Sequence, residues 1–232
     1  MRNHHLFIVG LGFLFVAAFA FRASADGKED VAAAAKKLVD AKNYTWKTTT
    51  EGGFGAGTTD GKTADGLTTL SIVRGDNTIE VVIKGEKAAI KTGDGWKSAA
   101  ELAQQDQGPQ RFIARIAQNF KAPAEQAQEV AGKATKLEKS DDALAGDLSE
   151  DGAKSLMTFG RPGAANAPTI SNAKGTAKFW VKDGALAKAQ YHVTGSVSFN
   201  GQDRDIDRTT TIEFKDVGST KVEAPAEAKE KL

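Results

Sequence analysis

The sequence predicts an α+β fold built on one antiparallel sheet. Three observations predict it. Glycine-punctuated strand segments follow one another between residues 67 and 92. An Asn-Gly pair at 200–201 joins two long alternating segments. Separate stretches of helical periodicity precede each group of strands.

The N-terminus is set aside first. LFIVGLGFLFVAAFAF, 6–21, is an unbroken apolar run behind Arg2, and Ala23-Ser24-Ala25 follows Arg22. This is the layout of a secretory signal peptide cleaved before Asp26. An uncleaved anchor is the alternative, but the run is shorter than the roughly 20 residues of a spanning helix. The expectation is therefore a signal peptide at 1–25 and a single β-rich domain at 26–232, exported to the periplasm or beyond. Helices are expected at about 28–41, 98–131 and 150–159. Lys and Arg number 31 against 30 Asp and Glu, and this near-neutral balance argues against nucleic acid as a partner. Cysteine is absent, which excludes disulfides and cysteine-based zinc or redox chemistry.

KEDVAAAAKKLVDA, 28–41, places Val31, Ala35 and Leu38 on one helical face. YTWKTTT, 44–50, favours a strand. EGGFGAGTTDGKTADG, 51–66, reads as a long glycine-rich hairpin end without lasting regular structure. Phe54 at its tip is either a hydrophobic contact point or a side chain folded back on its own sheet. LTTLSIVR, NTIEVVIK and KAAIKT, at 67–74, 77–84 and 87–92, form a meander, and a further turn delivers Trp96. Ser98 and Glu101 have capping-box spacing. Pro109 opens a helix with Phe112, Ile113, Ile116, Ala117 and Phe120 along one face, suited to packing on a sheet or to serving as a lid or partner surface. A short helix at 123–131, a hairpin over 133–149 and a Ser149-capped helix at 150–159 follow.

TAKFWVK, 176–182, is a strand that turns at Asp183-Gly184. In 187–199 the residues Ala187, Ala189, Tyr191, Val193, Val197 and Phe199 alternate onto one face. The Asn200-Gly201 turn fixes the register of the return strand. It sets Ala187 opposite Phe214, Ala189 opposite Ile212 and Tyr191 opposite Thr210. Polar partners meet on the other face: Lys188 with Glu213, Ser196 with Asp205, Thr194 with Asp207. Asp203, Asp205 and Asp207 are thus the solvated face of a strand. They lack the glycine and glutamate spacing of a calcium loop. Arg204 and Arg208 share the apolar face. They suit the rim of a cavity, or a stretch of hairpin beyond the packed core.

Few catalytic constellations fit. Beyond residue 25 the only histidine is His192, on the polar face opposite Thr209, and no Gly-x-Ser-x-Gly, P-loop or dinucleotide fingerprint occurs. No enzyme activity, metal or cofactor is expected.

GDGWKSAAEL at the strand-to-helix junction, and the final FKDVGSTKVEAPAEA with its Pro-containing tail, carry a resemblance. The chain resembles the outer-membrane lipoprotein carrier superfamily of periplasmic proteins, LolA-like, and its mycobacterial lipoprotein relatives. The resemblance covers the order of elements over most of residues 26–232. It implies a strongly curved antiparallel sheet, an incomplete barrel wrapped around helices, with an apolar cavity for acyl chains. The lack of a lipobox cysteine resembles the soluble carriers. Trp46, Trp96, Phe112, Ile116, Trp180 and Tyr191 are the candidate lining residues of such a cavity, with Arg204 and Arg208 at its rim. A hydrophobic ligand is the expected partner. The alternative is a non-enzymatic envelope module that binds another protein through a sheet edge or helix face.

Overall fold

A computed structural model gives the structure of the protein. It describes residues 26–53, 55–104, 108–158, 168–199 and 202–232, without the side chains of Pro109, Phe112 and Phe199. The expected signal peptide, Phe54 and the Asn200-Gly201 turn lie outside these residues.

Helix α1 (Lys28–Ala41) leads into β1 (Asn43–Glu51), β2 (Gly57–Ala64), β3 (Leu67–Arg74), β4 (Asn77–Lys84), β5 (Lys87–Thr92) and β6 (Gly95–Ser98). Three helices follow: α2 (Ala99–Ala103), α3 (Pro109–Gln118) and α4 (Pro123–Gly132). Then come β7 (Glu138–Ser140), β8 (Ala143–Asp147), α5 (Glu150–Met157), β9 (Thr169–Lys182), β10 (Ala185–Phe199), β11 (Gln202–Lys215) and α6 (Ala226–Lys229). Among the described residues the eleven strands form one antiparallel sheet, in the order β6-β5-β4-β3-β2-β1-β11-β10-β9-β8-β7. Two up-and-down meanders are therefore joined where β1 meets β11, and the sheet is open rather than a closed barrel. Among the described residues no helix is long and apolar enough to cross a membrane.

The β10–β11 ladder has the register that its turn dictates: Ala189 faces Ile212, Tyr191 faces Thr210 and Ser196 faces Asp205. It ends at Lys188–Glu213, so the expected Ala187–Phe214 pair is not part of it. An irregularity between Leu186 and Lys188 in the pairing with β9 brings Leu186 into the core in place of Ala187. β11 also reaches further than β1. Their pairing covers Thr209 to Lys215, so residues 202–208 are laddered to β10 alone.

The glycine-rich segment departs from expectation. Residues 57–64 are a full strand, paired with β1 on one side and β3 on the other. Gly61 explains why glycine is used there. A Cβ at this position would lie 2.2 Å from the Trp46 ring, so the bare backbone gives the indole its seat.

One face of the sheet carries the main core. Trp46, Leu70, Val81 and Ile90 run across it, with Ala189 and Phe179 further along, beneath Leu38 of α1, Leu102 of α2, Ala114 of α3 and Val130 of α4. A second cluster places Ala153 and Met157 of α5 against Ala173, Val193 and Ile206. α5 is secured at both ends. Ser149 Oγ accepts the Gly152 N–H at 3.1 Å, and the Arg208 guanidinium donates to the Leu156 carbonyl. Ser149→Ala is expected to lower stability by about 1 kcal/mol, read as a lower urea midpoint at unchanged slope. On the opposite face, Ala224 and Ala228 of the C-terminal tail pack on Val82 and Ala89 beside Trp96.

Candidate functional site

The inner, helix-covered face carries an aromatic floor. Alternation along β1 turns Tyr44 and Trp46 inward together, with ring centroids 5.5 Å apart. Phe214 meets Tyr44 edge-on at 5.9 Å. Phe179 of β9 and Tyr191 of β10 form a second edge-on pair, also at 5.9 Å. Phe120, just past α3, stacks on Trp46 at 6.2 Å and roofs this part of the floor.

The two phenols differ in polar company. Burial pushes the Tyr44 hydroxyl up to about 12, against an opposing hydrogen bond from the Ala124 backbone. Ala124 lies in the first turn of α4, whose N-cap Ala122 makes no side-chain cap. The Tyr44 oxygen serves that helix end instead. Tyr191 is only 2% exposed, and burial raises its hydroxyl far above the usual range. Its oxygen has no hydrogen-bond partner among the described residues, an arrangement that costs stability unless something else fills the role.

The candidate lining residues divide between the faces. Trp46 and Tyr191 lie together on the inner face. Trp180 stands opposite Lys188 on the outer face, because its neighbour Phe179 turns inward and strand side chains alternate. Its Nε1–H donates to Asp142 Oδ1 at 2.9 Å, and Lys188 Nζ lies 4.6 Å above its ring. Trp96 packs with the outer cluster under the tail. Ile116 is 42% exposed, because α3 buries the face of Ala114 and Ala117 rather than that of Ile116. The Phe112 side chain lies outside the described ones. At the expected rim, Arg204 is exposed, whereas Arg208 is 7% exposed and ties down α5. Tyr44, Phe179 and Phe214 complete the floor and Phe120 its roof, and none of the four was among the candidates. The signal for Tyr44 and Phe214 was their alternation with Trp46 and Ile212 along the strands, and that for Phe120 its place on the apolar face read for the helix from Pro109.

The polar residues stay in water. Asp203, Asp205 and Asp207 are exposed, with Ser196 Oγ donating to Asp205 at 2.6 Å and His192 Nε2 lying 2.9 Å from Asp207 Oδ1. His192 faces Thr209, as expected. Among the described residues no three acidic or histidine side chains gather to hold a metal ion.

Compared with known proteins, the chain matches no family model and no curated protein.

Proposed function

We propose that this chain is an exported, non-catalytic carrier of a hydrophobic ligand, such as a lipid or a lipoprotein acyl chain, bound between the inner face of the sheet and its helices. The sheet in this reading is a strongly curved incomplete barrel, as in the outer-membrane lipoprotein carriers that the sequence resembles. The observation that carries it is the roof over Trp46. Phe120 covers the indole at the end of a short helix that begins at Pro109 and gives way to α4 at Pro123. α3 is the lid. It closes on the aromatic floor when the site is empty and lifts for a chain whose every buried methylene contributes about 0.8 kcal/mol. The buried Tyr191 hydroxyl is the polar handle for an ester or carboxyl end. Export rests on the apolar run and the Ala-x-Ala motif of the sequence alone.

Mass spectrometry of the gently purified protein, together with uptake of a fluorescent fatty acid, tests the reading. Co-purifying lipid or saturable uptake is expected. Tyr191→Phe is expected to raise stability by about 1 kcal/mol, because it removes an unsatisfied hydroxyl, while it weakens fatty-acid uptake. A clean apoprotein that takes up no fatty acid overturns the carrier. That result favours the envelope interaction module, for which exposed Ile116 on α3 is the contact.

A further inference from the structure

The outer face of the sheet holds a cleft of about 540 Å³ between β1–β4 and the C-terminal tail. The tail leaves β11 at Asp216, where Thr220 N–H and Oγ1 both donate to the Asp216 carbonyl. Gly218 N–H donates to the Asn43 carbonyl at 3.1 Å. The chain then doubles back, and Ala224 and Ala228 seat it on Val82 and Ala89. Glu223 and Pro225 form one wall of the cleft, and Trp96 stands at its end.

We propose that this cleft binds a short neutral oligosaccharide, with Trp96 as the stacking plate. The floor is one transverse row. The pairings set Glu213, Lys47, Asp60, Ser71 and Glu80 side by side across successive strands, and Lys91, opposite Trp96, continues it. Charges in this row are matched within the protein: Lys47 with Asp60 at 3.7 Å, Lys91 with Glu80 at 2.6 Å, Lys215 with Glu213 at 3.4 Å. Within this row an ionic ligand meets no uncompensated opposite charge, and the two charges left unmatched beside it among the described residues, Lys62 and Glu223, are of opposite sign. A polyol meets alternating donors and acceptors held in place by those ion pairs, which is what vicinal hydroxyls require. Ser71 in the row and Lys62, Thr69 and Glu223 around it line the cleft with polar groups that have no side-chain partner among the described residues. A small number of convergent polar groups beside an aromatic surface is the usual make-up of a small-ligand site. Trp96 is half-buried, so its apolar body is anchored while part of it borders the cleft. Trp180, beyond Lys188 at the other end of the row, is already engaged by Asp142 and Lys188. The cleft lies across the sheet from the aromatic floor, so this inference does not rest on the carrier reading.

Calorimetric titration of the full chain with chitotriose, cellotriose and maltotriose, with tryptophan emission followed in parallel, tests it. At least one trisaccharide is expected to bind saturably and to change the emission. Trp96→Ala is expected to weaken that binding about tenfold, the scale of one aromatic contact. The Lys62→Ala, Glu223→Ala double variant, which touches no core residue, is expected to weaken it several-fold, and Trp180→Ala is expected to leave it unchanged. Absence of saturable binding by all three sugars up to about 10 mM overturns the proposal. So does binding that the double variant leaves intact, and that variant decides alone if Trp96→Ala does not fold.

Discussion

Gly61→Ala is expected to destabilise the protein by about 2–3 kcal/mol, a large effect for one added methyl group in a strand. The new Cβ would fall 2.2 Å from Cε2 and Cζ2 of Trp46. Those atoms belong to a rigid ring, not to the end of a flexible side chain. Tyr44 flanks the indole on its own strand, and Phe120 stacks above it. The ring can yield only toward Phe120, so the strain passes to the segment joining α3 and α4. Urea denaturation should show the loss as a lower midpoint, and tryptophan emission should shift to the red as the roof lifts. In the carrier reading the same variant also admits ligand more readily but holds it less tightly. A Gly61→Ala protein within about 0.5 kcal/mol of the parent, the scatter of ordinary surface substitutions, would rule out this seat for Trp46.

Alkali is expected to unfold the protein in a single step that ionises both of its tyrosines. Tyr44 and Tyr191 are the chain's only tyrosines, and both are buried in the main core. Burial raises each hydroxyl above its value in the unfolded chain, Tyr44 to about 12 and Tyr191 further. The unfolded state therefore releases these protons first as pH rises. Stability from this source is complete below about pH 10, the unfolded value, and is lost as pH climbs through the folded values. Each tyrosine contributes a slope of about 1.4 kcal/mol per pH unit within that window. Tyrosinate absorbance and far-ultraviolet circular dichroism should change together. A tyrosine that titrates near pH 10 while the dichroism stays native would contradict the buried placement.

The sequence made the hairpins legible wherever a turn dictated the register. The Asn-Gly turn and the alternation after it were enough to orient β10 and β11 and to place three aspartates in water. Helix α1 was legible from its spacing, because Val31, Ala35 and Leu38 are all buried. β2 was not, because its glycines and threonines have the composition of a loop, and Gly61 is there to fit a partner on another strand. Trp180 illustrates a second obstacle. Strand periodicity fixes that Phe179 and Trp180 face opposite ways, but not which one faces inward, and the irregularity at Leu186–Lys188 breaks the register that would have decided it. The face read for α3 holds at Ile113, Ala117 and Phe120, which pack on the core, whereas Ile116 at its margin is exposed and the small Ala114 fits closest. The docking of the tail depends on Ala224 and Ala228, whose side chains are too small to announce an interface.

Among the described residues, 202–205 of β11 are laddered on one side only and leave a raw strand border, while Gly52 and Gly53 lie against the strand at 206–208. Such a border invites another copy of the chain to add itself and start a growing stack. Here Asp203, Arg204 and Asp205 are exposed along it and Asp207 just beyond it, so an incoming copy would have to strip water from a dense line of ions to align. Such growth is thereby disfavoured, a role for the acidic run that requires neither metal nor catalysis.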